Sequence, residues 1–364
     1  MPAPFPPTDL TIDSKIFKLQ SQADMELGKL IGATQILPDT KLFLLMYVRR
    51  EAVLSSQIEG TQASLADILE YEALPQDEQR VDLKEVSNYI TALQYGLERL
   101  KTLPLSLRLI REIHEKLMQG VRGGESHKTP GEFRQSQNWV GGTSLATARY
   151  VPPPAAQVLR SLDELEKFFH DGSDLPVLIK IALCHAHFET IHPFIDGNGR
   201  IGRLLVTFML CEARVLSQPL LYLSIFFKEN RDEYYSRLQA VRDNGDWEGW
   251  LSFFLEGVAT VADGATRTAC DIVDLREQTR DRISSLVGRR SGKALQLLDH
   301  LFKNPYVIVN NVQTALEVSQ PTANALVAEL EKIGVLVETT GRRRNRVFAF
   351  KDYLKLFHER EQRD

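Results

Sequence analysis

The sequence predicts a mainly α-helical protein with two short β-hairpin excursions. Three observations carry that prediction. Apolar residues recur at helical spacing on both sides of one glycine-rich loop, as Val177, Leu178, Ile181, Ala182, Cys184, His185, Phe188 and Ile191 before it and Leu204, Leu205, Phe208, Met209 and Leu210 after it. Most of the remaining chain carries the same period, in segments bounded by proline, glycine or a capping residue. β-prone runs stand out in two places, around Gly141-Gly142 and across 335–350.

At 364 residues, 43% hydrophobic and 25% charged, the chain has the composition of a soluble globular protein long enough for two or three domains. A net charge of −4 argues against wholesale nucleic-acid binding and leaves room only for a local basic patch. Cys184, Cys211 and Cys270 are far apart and read as reduced residues of a cytoplasmic protein, neither a disulfide framework nor a metal site. The start of the chain has no basic region followed by an apolar one, and no stretch reaches about eighteen uninterrupted apolar residues, so neither export nor a membrane span is expected.

In chain order, a proline-rich arm precedes short helical patterns at 13–36 and a stronger one at 42–58. Its crowded apolar run suggests a helix buried on more than one side, interrupted at Arg49, Arg50 and Glu51. Ser55 and Glu59 are four apart and share a face, Gly60 is a C-terminal cap, and Ser64 with Asp67 forms the capping box of the next helix. Helices continue through 65–103, with a charged break at 76–80, and through 105–118. After a polar, glycine-rich stretch at 120–131, the texture changes to short β-prone runs around Gly141-Gly142, ending at Pro152-Pro153-Pro154, which predicts a hairpin. A helix at 161–169 leads into the loop. Farther on, Trp247, Trp250, Leu251, Phe253 and Phe254 read as core packing that closes a domain near residue 260, and a charged connector helix follows at 266–290. Three helical patterns and a β-prone pair then complete a helix–helix–helix–hairpin unit resembling a winged helix. Arg342, Arg343, Arg344 and Arg346 sit at its hairpin tip. The expected division is 1–104, an N-terminal helical region; 105–262, a central core; 263–290, a connector; and 291–364, the winged-helix domain.

The loop runs His192-Pro193-Phe194-Ile195-Asp196-Gly197-Asn198-Gly199-Arg200-Ile201-Gly202-Arg203. Pro193 ends the preceding helix and biases His192 toward an extended backbone, turning its imidazole into the junction, where it can accept a proton near neutral pH. Gly197 and Gly199 allow a close main-chain approach to a ligand, and the free N–H groups opening the next helix form an anion cradle. Arg200 and Arg203 share the first turn and can fork onto phosphate oxygens. Asp196 offers the hard carboxylate that a phosphate-bridging Mg²⁺ prefers.

At every fixed position this string is identical to the signature of the Fic family, His-Pro-Phe-x-Asp/Glu-Gly-Asn-Gly-Arg-x-x-Arg. The resemblance implies a helical Fic core and transfer of AMP from ATP to a Ser, Thr or Tyr hydroxyl of a protein target or of the enzyme itself. It makes His192 the base and Asp196 the Mg²⁺ ligand, and assigns ATP binding to Gly197, Asn198, Gly199, Arg200, Ile201, Gly202 and Arg203. Doc relatives, which are kinases, depart near Gly199, Arg200 and Arg203, and all three stand here. Ser55-x-x-x-Glu59-Gly60 resembles the inhibitory motif of the class whose inhibitory helix is N-terminal, in which Glu59 pairs with Arg203. The 131–154 excursion resembles the flap that docks a target's main chain, and 225–235 resembles the segment over the nucleotide base, with Asn230 and Tyr235 as adenosine contacts. Three alternatives stay open, the last two implied by the resemblance. The winged helix could bind DNA or protein with the Fic core as a sensor, the enzyme could also remove AMP, and the chain could pair as a homodimer.

Overall fold

The computed structural model describes residues 5–35, 37, 40–73, 81–121, 129–286, 288–342 and 345–358, and the protein is mainly helical. It divides into two units. The first comprises Met1–Ile31, Glu51–Gln62 and Arg80–Asp263, and the second Gly32–Arg50, Ala63–Gln79 and Gly264–Asp364.

In the first unit the chain winds around one central hairpin of helices. Helix α7 (Val177–Ile191) is buried all round: of the residues from Leu178 to Ile191 only Lys180 escapes, so it reads as apolar on every face and shows little amphipathic period. Its partner α8 (Asn198–Glu212) follows after the six-residue loop 192–197. Around this pair lie α4 (Val81–Arg99), α5 (Leu107–Leu117), α6 (Ala155–Phe169), α9 (Ser224–Glu229) and α10 (Arg231–Asn244). Trp250 closes the core, fully buried with its Nε1 donating to the Ala182 carbonyl at 2.8 Å. Trp247, Leu251, Phe253 and Phe254 are buried with it. The first unit ends at Asp263, but the helix does not: α11 runs from Trp247 to Leu286 as one helix of 40 residues, and the segment read as a connector is its C-terminal half. The Ala-rich, proline-free sequence between gives the helix no reason to stop.

Two other readings change. Helix α2 (Thr40–Ile58) passes through Arg49, Arg50 and Glu51 without interruption, and Glu51 is 3% exposed. A hydroxyl from Tyr89 (2.8 Å) and one from Ser224 (2.6 Å) satisfy its buried Oε1. The 131–154 excursion folds back antiparallel as expected, but the hairpin is reduced to a single bridge pair, Val140 with Tyr150. Gly141 and Gly142, both at positive φ, turn the chain straight after it.

Ser64 and Asp67 form the expected reciprocal cap of α3 (Leu65–Ala73): Ser64 N–H donates to Asp67 Oδ2 at 2.9 Å and Asp67 N–H to Ser64 Oγ at 3.2 Å. This helix belongs to the second unit. There α12 (Ser291–Lys303), β1 (Tyr306–Val307), α13 (Val309–Leu316), α14 (Gln320–Lys332), β2 (Val337–Glu338), β3 (Phe348–Ala349) and α15 (Lys351–His358) follow in order. The antiparallel sheet has strand order β1-β3-β2, with Val307 opposite Phe348 and Glu338 opposite the same residue on the other edge. Arg342 and Arg346 are exposed near the β2–β3 turn, Arg346 lying 3.6 Å from Glu331, while Arg343 and Arg344 lie outside the described residues. No described helix is long and apolar enough to cross a membrane.

Candidate active site

Helix α7 ends at His192, which has φ 49° and ψ 60°. The expected extended conformation is therefore absent, and the residue is a left-handed cap whose N–H still reaches Phe188 O. A non-glycine residue in that region, directly before proline, is strained. The strain is held by Arg134, a buried side chain from the loop excursion. Its Nε donates to His192 O at 2.9 Å, its Nη2 to the carbonyls of Pro153 and Ile191, and its own N–H to Pro193 O at 2.9 Å. Asn138 adds a bond from Nδ2 to Phe194 O at 2.9 Å. Burial, then the charges of Arg242 and Arg134, push the His192 pKa down to about 4. At neutral pH the imidazole is thus uncharged, and its buried Nδ1 has no hydrogen-bond partner.

From here the loop turns through Gly197 at φ 79° to open α8. Asn198 is 1% exposed and spends its whole amide on the loop, accepting from Phe194 N–H at 2.8 Å and donating to Phe194 O at 2.9 Å. What it offers a ligand is its backbone N–H, next to that of Gly199 at the helix start. Asp196 Oδ1 accepts from Gly197 N–H at 2.6 Å and lies 3.5 Å from Arg200 Nη2. Arg200 is buried, and its Nε and Nη1 make no hydrogen bond; Glu85 comes no nearer than 3.7 Å. A guanidinium withdrawn from water and left short of acceptors is prepared for an anion. Ile201 and Gly202 face inward instead: Ile201 is 1% exposed, and Gly202 O bonds His185 Nδ1 at 2.9 Å.

Arg203 is bound from α2. Its Nε donates to Ser55 Oγ at 2.8 Å, and its Nη2 to Ser55 O at 2.9 Å and Glu59 Oε1 at 2.8 Å. Burial pulls the Arg203 pKa down, but the Glu59 carboxylate, by charge and hydrogen bond, together with Tyr234 and Tyr89 outweighs it, and the net shift is upward. The Glu59 side chain keeps 35% exposure against 2% for Arg203, so the pair opens to solvent from the carboxylate side. Glu51, Ser55 and Glu59 recur every four residues: Glu51 and Ser55 are buried within α2, and Glu59, one residue past its end, reaches Arg203 from the rim. Gly60, at φ 100°, follows the helix end. A Cβ at Gly199 would fall 2.2 Å from Glu59 Oε1 and 2.9 Å from Arg203 Nη1, so any larger residue there would push on this pair.

One group escaped the sequence reading altogether. Glu189 on α7 is 6% exposed, its Oε1 is buried without a partner, and the bare Cα of Gly202 makes room for it. Burial lifts its pKa to about 7, against smaller opposing pulls from Arg203 and Arg242. A carboxyl raised in the folded state stabilises the fold fully below its unfolded pKa and loses that contribution as pH climbs through about 7. Glu189→Gln should therefore gain stability over wild type by roughly 2–3 kcal/mol between pH 4.5 and pH 8. Urea midpoints at both pH values check this, and a pH-independent difference would count against it. Tyr235 lies close by and is half-buried, with Arg231 5.3 Å above its ring. Asn230 uses its amide on Phe226 O at 3.0 Å, capping α9.

Among the described residues no three or more His, Cys, Asp or Glu side chains converge on a metal site. A Mg²⁺ held partly by phosphates needs only one or two protein carboxylates, and the partly exposed Asp196 beside the anion cradle fits that demand.

The chain is similar to known proteins. The Fic/DOC family N-terminal model matches residues 17–98 and the Fic/DOC family model residues 104–210. A probable protein adenylyltransferase of Aquifex aeolicus is 31% identical over 206 residues, 55% of this chain and 57% of that protein. The protein adenylyltransferase Fic of Drosophila ananassae is 29% identical over 206 residues, 55% of this chain and 38% of that protein. The chain thus spans about half or less of the curated relatives it matches. Among solved structures, a Fic family protein from Desulfovibrio desulfuricans G20 superposes with a TM-score of 0.58 at 19% identity, covering 94% of this chain and 97% of that one. Fic-1 of C. elegans gives 0.51 at 20% identity, covering 71% and 73%. At these identities the superpositions speak for the fold.

Proposed function

The chain belongs to the Fic/DOC family, and from that premise we propose that it transfers AMP from ATP to a hydroxyl side chain of a protein, itself included. The observation that carries this reading is Arg200, a buried guanidinium with two nitrogens that make no hydrogen bond, in the first turn of the helix that opens with the amides of Asn198 and Gly199. Such a cradle suits a polyphosphate. Neutral His192 accepts the proton of the target hydroxyl as its oxygen attacks the α-phosphorus; the bond to the bridging oxygen breaks and pyrophosphate leaves. Asp196 would hold a Mg²⁺, which would supply charge neutralisation on the phosphates. Glu59 holds Arg203 away from the γ-phosphate, so the resting protein is autoinhibited. Trp139, Leu145 and Val151, exposed by 42%, 49% and 47% in the excursion beside His192, supply an apolar surface for the target. The protein names of the relatives agree with adenylyl transfer. Intact mass after incubation of Glu59→Gly protein with Mg²⁺ and ATP tests it. The expected product carries AMP; a phosphate increment, or no increment on itself or on any captured target, overturns the assignment.

A further inference from the structure

We propose that His114 is a positioning residue that locks the Asp196–Gly197 peptide, and with it the Asp196 carboxylate and the anion cradle, in the nucleotide-ready orientation. The inference rests on the reading of this loop as a phosphate site, but its geometry stands independently. His114 belongs to α5 and is fully buried. Its Nδ1 accepts the Gly131 N–H at 2.9 Å, and a backbone amide can only donate. The ring proton is therefore on Nε2, which donates to Asp196 O at 3.0 Å across 82 residues of sequence. Beneath the loop the ring stacks on Phe194, centroids 3.7 Å apart and planes 6° from parallel.

The peptide so held has a consequence on both faces. Its carbonyl is fixed by His114 and its N–H by Asp196 Oδ1 at 2.6 Å, so rotating it would break both bonds and carry the carboxylate with it. Gly197 permits the approach: a Cβ there would sit 3.0 Å from Met118 Sδ and 3.6 Å from His114 Nε2, at a positive φ that side chains resist. Gly131, at the other nitrogen, opens the excursion that carries Arg134. One imidazole thus joins the loop that would bind phosphate to the segment that holds His192, and it does so without touching a ligand.

The test compares His114→Phe, which keeps the shape and the stack but has no N–H, with His114→Gln, whose amide keeps a donor near the Nε2 position; both lose the Nδ1 acceptor of the Gly131 N–H, so their difference isolates the bond to Asp196 O. In wild-type background, hydrogen exchange over 194–199 should quicken about tenfold in the Phe variant, as one lost hydrogen bond implies, and recover with Gln, while exchange within 107–117 stays unchanged. In Glu59→Gly background, kcat/KM for Mg·ATP should fall roughly 10–100-fold for Phe and about threefold for Gln. Combined with Asp196→Ala, the Phe effect should largely vanish, since both act on one element. Unchanged exchange in the Phe variant, exchange raised across the whole unit, or an undiminished loss in the Asp196→Ala protein would each overturn the positioning role. A Glu59→Gly parent without any labelling would instead refute the nucleotide reading, and the exchange comparison would still decide on His114.

Discussion

Glu59→Gly protein should label itself from ATP roughly 10–100-fold faster than wild type. A charged hydrogen bond such as Glu59 to Arg203 is worth about 1–2 kcal/mol once screening at the part-exposed carboxylate is allowed for, which is about tenfold in population. Removing the carboxylate also removes a like charge from the place where a γ-phosphate would meet Arg203, and this extends the range upward. Relief by Gly should be incomplete, because Ser55 keeps two bonds to the same guanidinium, through Oγ and through its carbonyl. Ser55→Ala added to Glu59→Gly should therefore accelerate labelling further by a few-fold at low ATP, where γ-phosphate affinity limits the rate. Rates of incorporation of α-labelled nucleotide across an ATP series distinguish the cases. Equal rates for wild type and Glu59→Gly at every ATP concentration would exclude inhibition by this pair.

What could be read from the sequence was what lies contiguous in it. The twelve residues from His192 to Arg203 carry their own chemistry at fixed spacing, and Glu59 was reachable because Ser55, Glu59 and Gly60 form a second local string. Arg134 and His114 act on that loop from 58 and 82 residues away, and no local pattern marks them: one lies in a polar excursion, the other in an ordinary amphipathic helix. Glu51 looked like part of a charged break because three charged residues in a row usually face water. The four-residue spacing from Glu51 through Ser55 to Glu59 was the signal that could have placed it inside. The left-handed His192 defeats a local rule for a related reason, since the proline bias toward extended backbone is outweighed by the carbonyl bonds from Arg134. Tertiary contacts also decide that 131–154 closes by one bridge pair instead of a longer ladder, because its polar groups are spent on the motif loop.

The relieved enzyme should lose about 10²–10⁴ in rate on His192→Ala, the range that general-base removal gives. Its pH profile separates a base from a merely structural histidine. An ordinary histidine near pKa 6.5 would bend the acid limb at pH 6–7, whereas burial and the charges of Arg242 and Arg134 hold His192 down at about 4. The deprotonated form is the active one, so kcat/KM should stay flat from pH 8 to about pH 5 and fall only as the solution approaches pH 4. The value of about 4 holds with Glu59 in place; its carboxylate raises the His192 pKa, so in the relieved Glu59→Gly protein the limb should lie no higher than that. Glu189, with a pKa of about 7, is the group that could imitate a base in the neutral range. Glu189→Gln should leave the acid limb where it is. A bend near pH 6.5 that survives Glu189→Gln would mean that His192 is solvated during turnover, and a bend that disappears with Glu189→Gln would move the proton acceptor from the histidine to that buried carboxylate.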